Sequence, residues 1–249
     1  MGIIIKSDTE LQKMRNAGRL TSDVLDMMEK MIQPGMATID IDRAAEEFIR
    51  AKGGIPSFKD YRGFPNSVCI SVNDEVIHGI PSMKKLKNGD IVSVDVGAIL
   101  EGYHGDAART FACGSISEEA QRLIEVTKKC FFEGMKFARK GFHLHQISKA
   151  VQDCAESNGF SVVRDFVGHG IGRELHEDPS IPNYKPPGRG ARLEKGMTLA
   201  VEPMINAGDY EIEILEDDWT VVTEDGGLSA HYENTIAITD DEPEILTLY

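Results

Sequence analysis

Two helices are predicted by the spacing of hydrophobic positions near the start of the chain. Leu11, Met14, Leu25 and Met28 recur at intervals that place them on one helical face, and Pro-Gly at 34–35 ends the run. The Ser-Asp-Thr-Glu stretch at 7–10 has the spacing of a capping box, which predicts that the first helix begins there. A second helix is predicted over 38–52 and is ended by Gly-Gly at 53–54.

Alternating hydrophobic and polar positions predict two neighbouring strands in the middle of the first half. Over 89–97, Val92, Val94 and Val96 face one side and Asp95 faces the other. The run over 104–111 carries Asp106, and Glu-Gly at 101–102 is suited to a turn. A hairpin would therefore bring the two acids together. Aspartates are common in turns and at strand ends, so these two alone do not indicate a metal site.

The chain contains an internal repeat of a half-domain, with approximate limits of 7–111 and 117–239. Residues 86–95 match 193–202, which places Asp95 opposite Glu202, and residues 104–106 match 231–233, which places Asp106 opposite Glu233. His-Gly-Ile at 78–80 also matches His-Gly-Ile at 169–171. Each match alone is weak, and it is their common order that indicates a repeat.

Two similar halves usually pack about a pseudo-twofold axis, and the four acids would then meet at the centre. Four carboxylates with a nearby histidine form a hard, oxygen-rich site of high charge. Such a site suits two divalent cations bridged by shared carboxylates, as in two-metal hydrolases. The pattern therefore predicts a single catalytic domain over 1–249, with a dinuclear metal centre between its halves.

The second half is predicted to follow the same order of elements. Helices are predicted over 117–138 and 144–157, and a strand over 160–163. Two longer strands are predicted over 197–205 and 230–236, and they carry Glu202 and Glu233. Pro203, directly after Glu202, indicates a strand end or a bulge. The Gly-rich stretch at 167–172 lacks the spacing of a phosphate-binding or dinucleotide-binding loop.

Composition and charge narrow the classes of partner and location. The 249 residues include 27 basic and 41 acidic ones, for a net charge of −14 without a polybasic run, which argues against nucleic acid as the main partner. The 4 cysteines lack zinc-site spacing, and we expect buried, reduced thiols. We find neither a signal peptide nor a stretch long enough to span a membrane. We therefore expect a cytoplasmic protein without a membrane partner, and a monomer by default.

Taken together, the motifs resemble type I methionine aminopeptidases in their compact, bacterial form. The resemblance covers nearly the whole chain and rests on this ordered set: His78-Gly-Ile-Pro, Asp95, Gly-Tyr-His-Gly-Asp106, Gly-His169-Gly-Ile-Gly, Leu-His176-Glu, Ala-Val-Glu202-Pro-Met and His-Tyr-Glu233-Asn-Thr. It implies the α+β pita-bread (creatinase/aminopeptidase-like) fold, in which two pseudo-twofold-related halves surround a curved antiparallel sheet. It also implies removal of the initiator methionine from nascent proteins and peptides when the second residue is small.

The resemblance implies a role for each matching residue. The implied ligands of two divalent ions (cobalt, manganese, iron, zinc or nickel) are Asp95, Asp106, His169, Glu202 and Glu233. Asp106 and Glu233 would bridge the ions, and Glu202 would also accept a proton. His176 would hydrogen-bond the scissile carbonyl, and His78 would contact the scissile amide or the substrate main chain. The implied partners are the N-termini of nascent polypeptides, with the ribosome as a place of encounter.

The implied methionine pocket combines aromatic and apolar side chains with the same two histidines. Its residues are Phe58, Tyr61, Phe64, Cys69, Leu175 and Trp219, together with His78 and His176. A flexible thioether suits such a wall. Phe58 stands where a smaller cysteine can occur in the family, and Leu175 stands where phenylalanine can occur. These departures concern the shape of the pocket rather than the reaction.

Three other functions remain open on the sequence. An Xaa-Pro dipeptidase of the same fold usually has an additional N-terminal domain, for which residues 1–60 leave no room. A catalytically silent relative would be expected to lack one or more ligands, whereas all five implied ligands stand in place. A two-metal phosphatase or nuclease is disfavoured by the acidic charge and by the lack of phosphate-binding arginine clusters.

Overall fold

The computed structural model describes residues 2–248, so the two terminal residues of the predicted 1–249 domain lie outside the described residues. The first half contains α1 (Asp8–Glu29), α2 (Thr38–Ala51), β1 (Ile55–Pro56), β2 (Val68–Val72), β3 (Glu75–Ile77), β4 (Ile91–Leu100) and β5 (Tyr103–Ala112). The second half contains α3 (Glu118–Met135), α4 (Leu144–Ser157), β6 (Ser161–Val162), β7 (Gly168–Gly170), β8 (Glu177–Ile181), β9 (Thr198–Val201), β10 (Met204–Asn206), β11 (Ile212–Ile214), β12 (Val221–Thr223), β13 (Ser229–His231), β14 (Asn234–Ala237) and β15 (Glu244–Ile245).

Each half begins with a long helix whose first turn is capped by serine. The hydroxyl of Ser7 accepts from the backbone N–H of Glu10, and the Glu10 carboxylate accepts from the N–H of Ser7 at 2.9 Å, which confirms the predicted capping box. Ser117 caps α3 by accepting from the N–H of Ala120 at 3.1 Å. α3 ends at Met135, short of the predicted 138. Within residues 2–248 we find no helix that is both long and apolar enough to cross a membrane.

The predicted hairpin is confirmed and forms the centre of the first half. β4 and β5 pair along their whole length, and the turn between them places Glu101 and Gly102 at φ values of 53° and 78°. β2 pairs with the other edge of β4. Val92, Val94 and Val96 are completely buried in the core that α1 and α2 cover. The opposite face of the hairpin, which carries Asp95, is thereby left to face the second half.

Both long strands predicted in the second half are broken, one at Pro203, where a strand end or bulge is predicted, and one over 230–236, where the prediction of a single strand is wrong. The stretch over 197–205 splits into β9 and β10, because Pro203 has no N–H to continue a ladder. The stretch over 230–236 splits into β13 and β14. β9 pairs with β14 and β10 pairs with β13, and the two pairs belong to different sheets. Glu202 and Glu233 lie in the two gaps. The strand predicted over 160–163 is reduced to β6.

The halves meet along an antiparallel seam between β5 and the β13–β14 stretch. Ala108 and Glu233 exchange backbone hydrogen bonds of 2.9 and 3.4 Å. On one side of this pair, the Thr235 hydroxyl accepts from the N–H of Asp106 at 2.9 Å and donates to its carbonyl at 2.8 Å. On the other side, the Thr110 hydroxyl accepts from the N–H of His231 at 2.8 Å and donates to the carbonyl of His231 at 2.9 Å. The seam thereby brings Asp106 close to Glu233.

Candidate metal centre and substrate pocket

One cavity of about 240 Å³ collects the predicted site residues from both halves. Its lining includes the predicted ligands Asp95, Asp106, His169, Glu202 and Glu233. It also includes the predicted pocket residues Phe58, Tyr61, Phe64, Cys69, His78, Leu175, His176 and Trp219. The sequence analysis did not single out Arg62, Ile77, Phe166 and Val167, which line the cavity too. Their only sequence signal was adjacency to predicted residues.

The hairpin places the first two acids on one face as diagonal neighbours. Asp95 lies opposite Ala108 and Asp106 lies opposite Gly97 in the β4–β5 register. Gly97 is required here, because a Cβ at this position would lie 2.7 Å from Ser57 and 2.8 Å from Phe58. The absence of that side chain lets the wall of the cavity approach the acids directly.

The second pair of acids lies where the strands are interrupted. Asn183 Nδ2 donates to the carbonyl of Glu202 at 2.9 Å. The backbone N–H of Glu233 donates to Ala108 at 2.9 Å across the seam. Asp106 and Glu233 are almost completely buried, with exposed fractions of 4% and 2%. Freed from the sheet ladder, the side chains of Glu202 and Glu233 turn toward those of the hairpin.

The hydrogen bonds of His169 fix which of its nitrogens can bind a metal. Nδ1 lies 2.8 Å from the carbonyl of Gly170, and because a carbonyl only accepts, Nδ1 carries the proton. The lone pair of Nε2 therefore faces Asp106 Oδ2 at 3.8 Å and Glu202 Oε1 at 3.7 Å. Ligand atoms of Asp106, His169 and Glu233 all lie within 4.8 Å of one another. Electron-rich atoms at these distances favour a cation between them.

The electrostatics of the acids fit the same conclusion. Burial raises the pKa of Asp95 to about 7, and burial with neighbouring carboxylates raises the pKa values of Asp106, Glu202 and Glu233 well above their usual range. Burial lowers the pKa of His169 to about 3, which keeps the imidazole neutral. Among the described residues, Asp95 Oδ1, Asp106 Oδ1 and Glu233 Oε1 are buried without a hydrogen-bond partner. The residues present therefore fit a centre for divalent cations.

His176 lies at the exposed mouth of the cavity and is held by Tyr61. The Tyr61 hydroxyl is 2.8 Å from Nδ1, and the two rings stack at a centroid distance of 5.4 Å. The imidazole of His176 also lies 4.1 Å from that of His169, measured between ring centroids. Desolvation, with a smaller contribution from the Arg62 charge, lowers the pKa of His176. A neutral donor thus stands directly beside the predicted metal ligands.

His78 lies apart from the acids, on the aromatic side of the cavity. It follows β3 with a φ of 59°, and its ring meets the edges of Phe166 at 5.5 Å and Trp219 at 6.2 Å. Burial lowers the pKa of His78 to about 4. The position of this imidazole beside the aromatic rings is compatible with substrate contact.

The remaining wall is apolar. Phe58, Phe64, Cys69 and Leu175 are buried, and Trp219 packs its ring against Phe64 at 5.1 Å. Cys69 lies opposite Asp95 in the β2–β4 register and is a buried free thiol, like the other cysteines. Burial and the neighbouring acids raise the pKa of the Cys69 thiol well above its usual value. The thiol is therefore a neutral wall element rather than a nucleophile.

Comparison with known proteins agrees with this site. The family profile of metallopeptidase family M24 matches residues 12–240. The chain belongs to this family. Over 247 residues it is 59% identical to the methionine aminopeptidase of Clostridium acetobutylicum, with 99% of each chain covered. It is 51% identical over 245 residues to methionine aminopeptidase 1 of Bacillus subtilis, covering 98% of this chain and 99% of that protein.

Solved structures extend the comparison to the fold. The methionine aminopeptidase of Thermotoga maritima superposes with a TM-score of 0.97 at 46% identity, with 100% of both chains covered. The prolidase of Pyrococcus furiosus superposes with a TM-score of 0.80 at 21% identity, covering 99% of this chain and 66% of that one. The second likeness shows the fold alone. The family M24 chain is thus a metallo-aminopeptidase with the predicted α+β pita-bread fold.

One residue of this M24 centre had no role in the sequence analysis. His231, exposed by only 2%, places its unpartnered Nε2 3.9 Å from oxygens of both Glu202 and Glu233. Its repeat partner His104 instead pairs through Nδ1 with the Ser57 hydroxyl at 2.9 Å. The match between the two histidines was the available signal, but the repeat did not tell which of them faces the acids.

Proposed function

We propose that this metallopeptidase removes the N-terminal methionine from nascent proteins and peptides whose second residue is small. The observation that carries the proposal is a single cavity that combines ligand-type acids and a histidine with an apolar, aromatic wall. Family M24 and the relatives named methionine aminopeptidase support it. The substrates would be the N-termini of nascent polypeptides. The enzyme would be a cytoplasmic monomer that encounters part of its substrates at the ribosome.

The centre would hold two divalent ions, drawn from cobalt, manganese, iron, zinc or nickel. The residues that would hold them are Asp95, Asp106, His169, Glu202 and Glu233. Asp106 and Glu233 would act together in holding the ions, since their ligand atoms lie within 4.8 Å of each other. When bound, the ions supply Lewis acidity and a nucleophilic water at neutral pH.

The protein's own groups would orient the peptide and move the proton. With the Tyr61 hydroxyl donating to Nδ1 of His176, Nε2 carries the proton and can donate to the scissile carbonyl oxygen. Glu202, whose carboxylate lies in the cavity 3.7 Å from His169 Nε2, would accept the proton of the attacking water. His78 would contact the substrate main chain.

The wall would select the side chain of the first residue. Phe58, Phe64, Leu175 and Trp219 offer aromatic and aliphatic surface to a thioether, and Cys69 adds a polarisable sulfur. Large second residues would be excluded, because His169 and His176 crowd the space beside the acids.

Peptide cleavage by metal-depleted protein, before and after addition of Mn²⁺ or Co²⁺, tests the proposal. We expect metal-dependent release of methionine from Met-Gly-Met-Met, and no release from Leu-Gly-Met-Met or Met-Lys-Met-Met. Cleavage of a Lys-Pro peptide instead would assign the chain to the dipeptidases of this fold. No cleavage of any peptide by protein shown to bind metal would identify a catalytically silent relative.

A further inference from the structure

The two acids at the seam have unequal backbone support. Asp106 lies inside the continuous strand β5, and its neighbours pair with β4 on one side. Glu233 lies in the gap between β13 and β14, where the strand ladder is interrupted. Its backbone pairs only with Ala108 across the seam, where its N–H donates at 2.9 Å and its carbonyl accepts a longer backbone hydrogen bond of 3.4 Å. The second-half acid therefore needs another anchor.

Arg109 supplies that anchor with both arms of its guanidinium. Nη1 donates to the carbonyls of Glu233 and, at 2.8 Å, of Ala108. Nη2 donates to Asn234 Oδ1 at 2.7 Å, and the guanidinium lies 4.2 Å from the centroid of the Tyr232 ring. The Arg109 side chain thus contacts Glu233 and the residues immediately before and after it. Arginine is suited to this, because its planar fork stays charged and can reach several acceptors at once.

The C-terminal segment contacts the same groups as Arg109 and supports their position. Thr247 is completely buried, and its hydroxyl donates to Asn234 Oδ1 at 3.0 Å while accepting from the N–H of Thr235 at 3.1 Å. The carbonyl of Thr247 accepts from Arg109 Nη2 at 3.4 Å. Arg109 therefore joins β5, the gap that contains Glu233, and the end of the chain.

The internal repeat has no second copy of this arrangement. At the offset that matches Asp106 with Glu233, position 109 corresponds to 236, which is the completely buried Ile236. Asp106 lies inside the unbroken strand β5 and does not need such an anchor. Arg109 thus compensates for a local difference between the halves.

We propose that Arg109 is a positioning residue for Glu233, and that its grip sets the affinity of the centre for divalent cations. The proposal rests on the proposed metal-dependent function. Partners that orient metal ligands from outside typically change metal affinity by about 10–100-fold when they are replaced. Loss of the guanidinium would free the backbone at the gap and let the Glu233 carboxylate leave the position that it shares with Asp106.

Titration of chelator-treated protein with Mn²⁺ by calorimetry, together with the melting temperature in chelator, tests this role. Arg109→Met should weaken Mn²⁺ binding by roughly tenfold or more. Arg109→Lys keeps the charge but cannot reach the carbonyls and Asn234 together, so it should weaken binding less. The matched control is Arg122→Met, because Arg122 also lies over an aromatic ring and donates to a backbone carbonyl, but it is exposed on α3, outside the seam. This control should bind Mn²⁺ like the unmodified protein.

The two readouts separate positioning from simple structural support. A folded Arg109→Met variant that melts lower but binds Mn²⁺ as tightly as the unmodified protein would overturn the proposal. If that variant does not fold, Arg109→Lys decides, and unchanged affinity in that variant would likewise overturn it. Failure of the unmodified protein to bind any divalent ion would overturn the proposed function and this inference with it.

Discussion

The two halves of the molecule carry matching acids but hold them by different means. Asp95 and Asp106 lie within two paired strands of 10 residues each, so the ladder itself fixes their direction. Glu202 and Glu233 lie at strand breaks and are fixed by separate bonds from Asn183 and Arg109. The comparison teaches that an internal repeat tells which residues meet, whereas the local backbone decides how each is held.

The matched His-Gly-Ile stretches diverge even further. His169 lies in β7, between β8 and β9, and its imidazole faces the acids. His78 lies beyond the end of β3 in a left-handed conformation, and its imidazole faces aromatic rings. Equivalent positions in the repeat therefore face acids in one half and aromatic rings in the other, in keeping with the proposed metal ligand and the proposed substrate contact.

Removing the charge of either central acid tests the symmetric part of the comparison, and we expect the largest effect here. Asp106→Asn and Glu233→Gln keep the shape of the side chain but remove a ligand charge. Each should lower kcat/KM by more than about 100-fold, the upper end of what indirect partners contribute. Glu211→Gln, at an exposed acid, serves as the control. A substitution at one acid that left activity intact would break the proposed sharing of the two carboxylates.

Replacing His169 or His78 tests how far the two matched histidines differ in role. His169→Ala should lose at least tenfold in Mn²⁺ affinity, measured by calorimetry, because it removes a nitrogen aimed at the acids. His78→Ala should bind Mn²⁺ normally and lose about tenfold in kcat/KM, the worth of one strong hydrogen bond to substrate. Equal losses of metal affinity in both variants would contradict the separation between the two rings.

The pH dependence of stability tests whether the buried acids are uncharged in metal-depleted protein. The folded state keeps a proton on Asp95 up to a pKa of about 7, whereas the unfolded state releases it near pH 4. The folded state therefore binds more protons, and the free energy of unfolding should fall as pH rises from 6.5 to 7.5, by less than about 1.4 kcal/mol per pH unit for Asp95, whose contribution levels off above its pKa of about 7. His169 and His78, whose pKa values are lowered, affect stability only below about pH 6.5.

Urea denaturation in chelator over this pH range measures that slope. Asp95→Asn should reduce the slope, because the titrating group is absent. Saturating Mn²⁺ should flatten or reverse it, since metal binding favours the ionised carboxylates. A free energy of unfolding that rises with pH in chelator would contradict the raised pKa values.

The smallest expected difference between the halves is in how much the serine caps of α1 and α3 contribute to the free energy of unfolding. Ser7→Ala and Ser117→Ala should each lower the free energy of unfolding by about 1 kcal/mol, measured by urea denaturation. The effect should be larger at Ser7, because its hydroxyl also donates to the Glu10 carboxylate at 2.7 Å. Mn²⁺ affinity should not change in either variant. A greater loss at Ser117 would show that the box contributes little.

Much of this architecture can be predicted from the sequence, and the exceptions have physical reasons. The capping box, the β4–β5 hairpin and the meeting of the acids follow from local spacing and from the repeat. The breaks at Glu202 and Glu233 could not be read from hydrophobic alternation, which continues across both gaps, although Pro203 was a warning. The direction of His231 and the grip of Arg109 depend on contacts across the seam, and such contacts leave no local pattern.

The seam also bears on how the enzyme folds. Its hydrogen bond between Asp106 and Thr235 joins residues 129 positions apart, and that between Arg109 and Thr247 joins residues 138 positions apart. Contacts of such separation form slowly, since the loop must close before they contribute. During synthesis, the first two helices and the hairpin can form long before Glu233 and Thr247 exist. The metal centre is therefore among the last parts of the molecule to be completed, and a chain cut short by a few residues at its end would lose part of the support of Glu233.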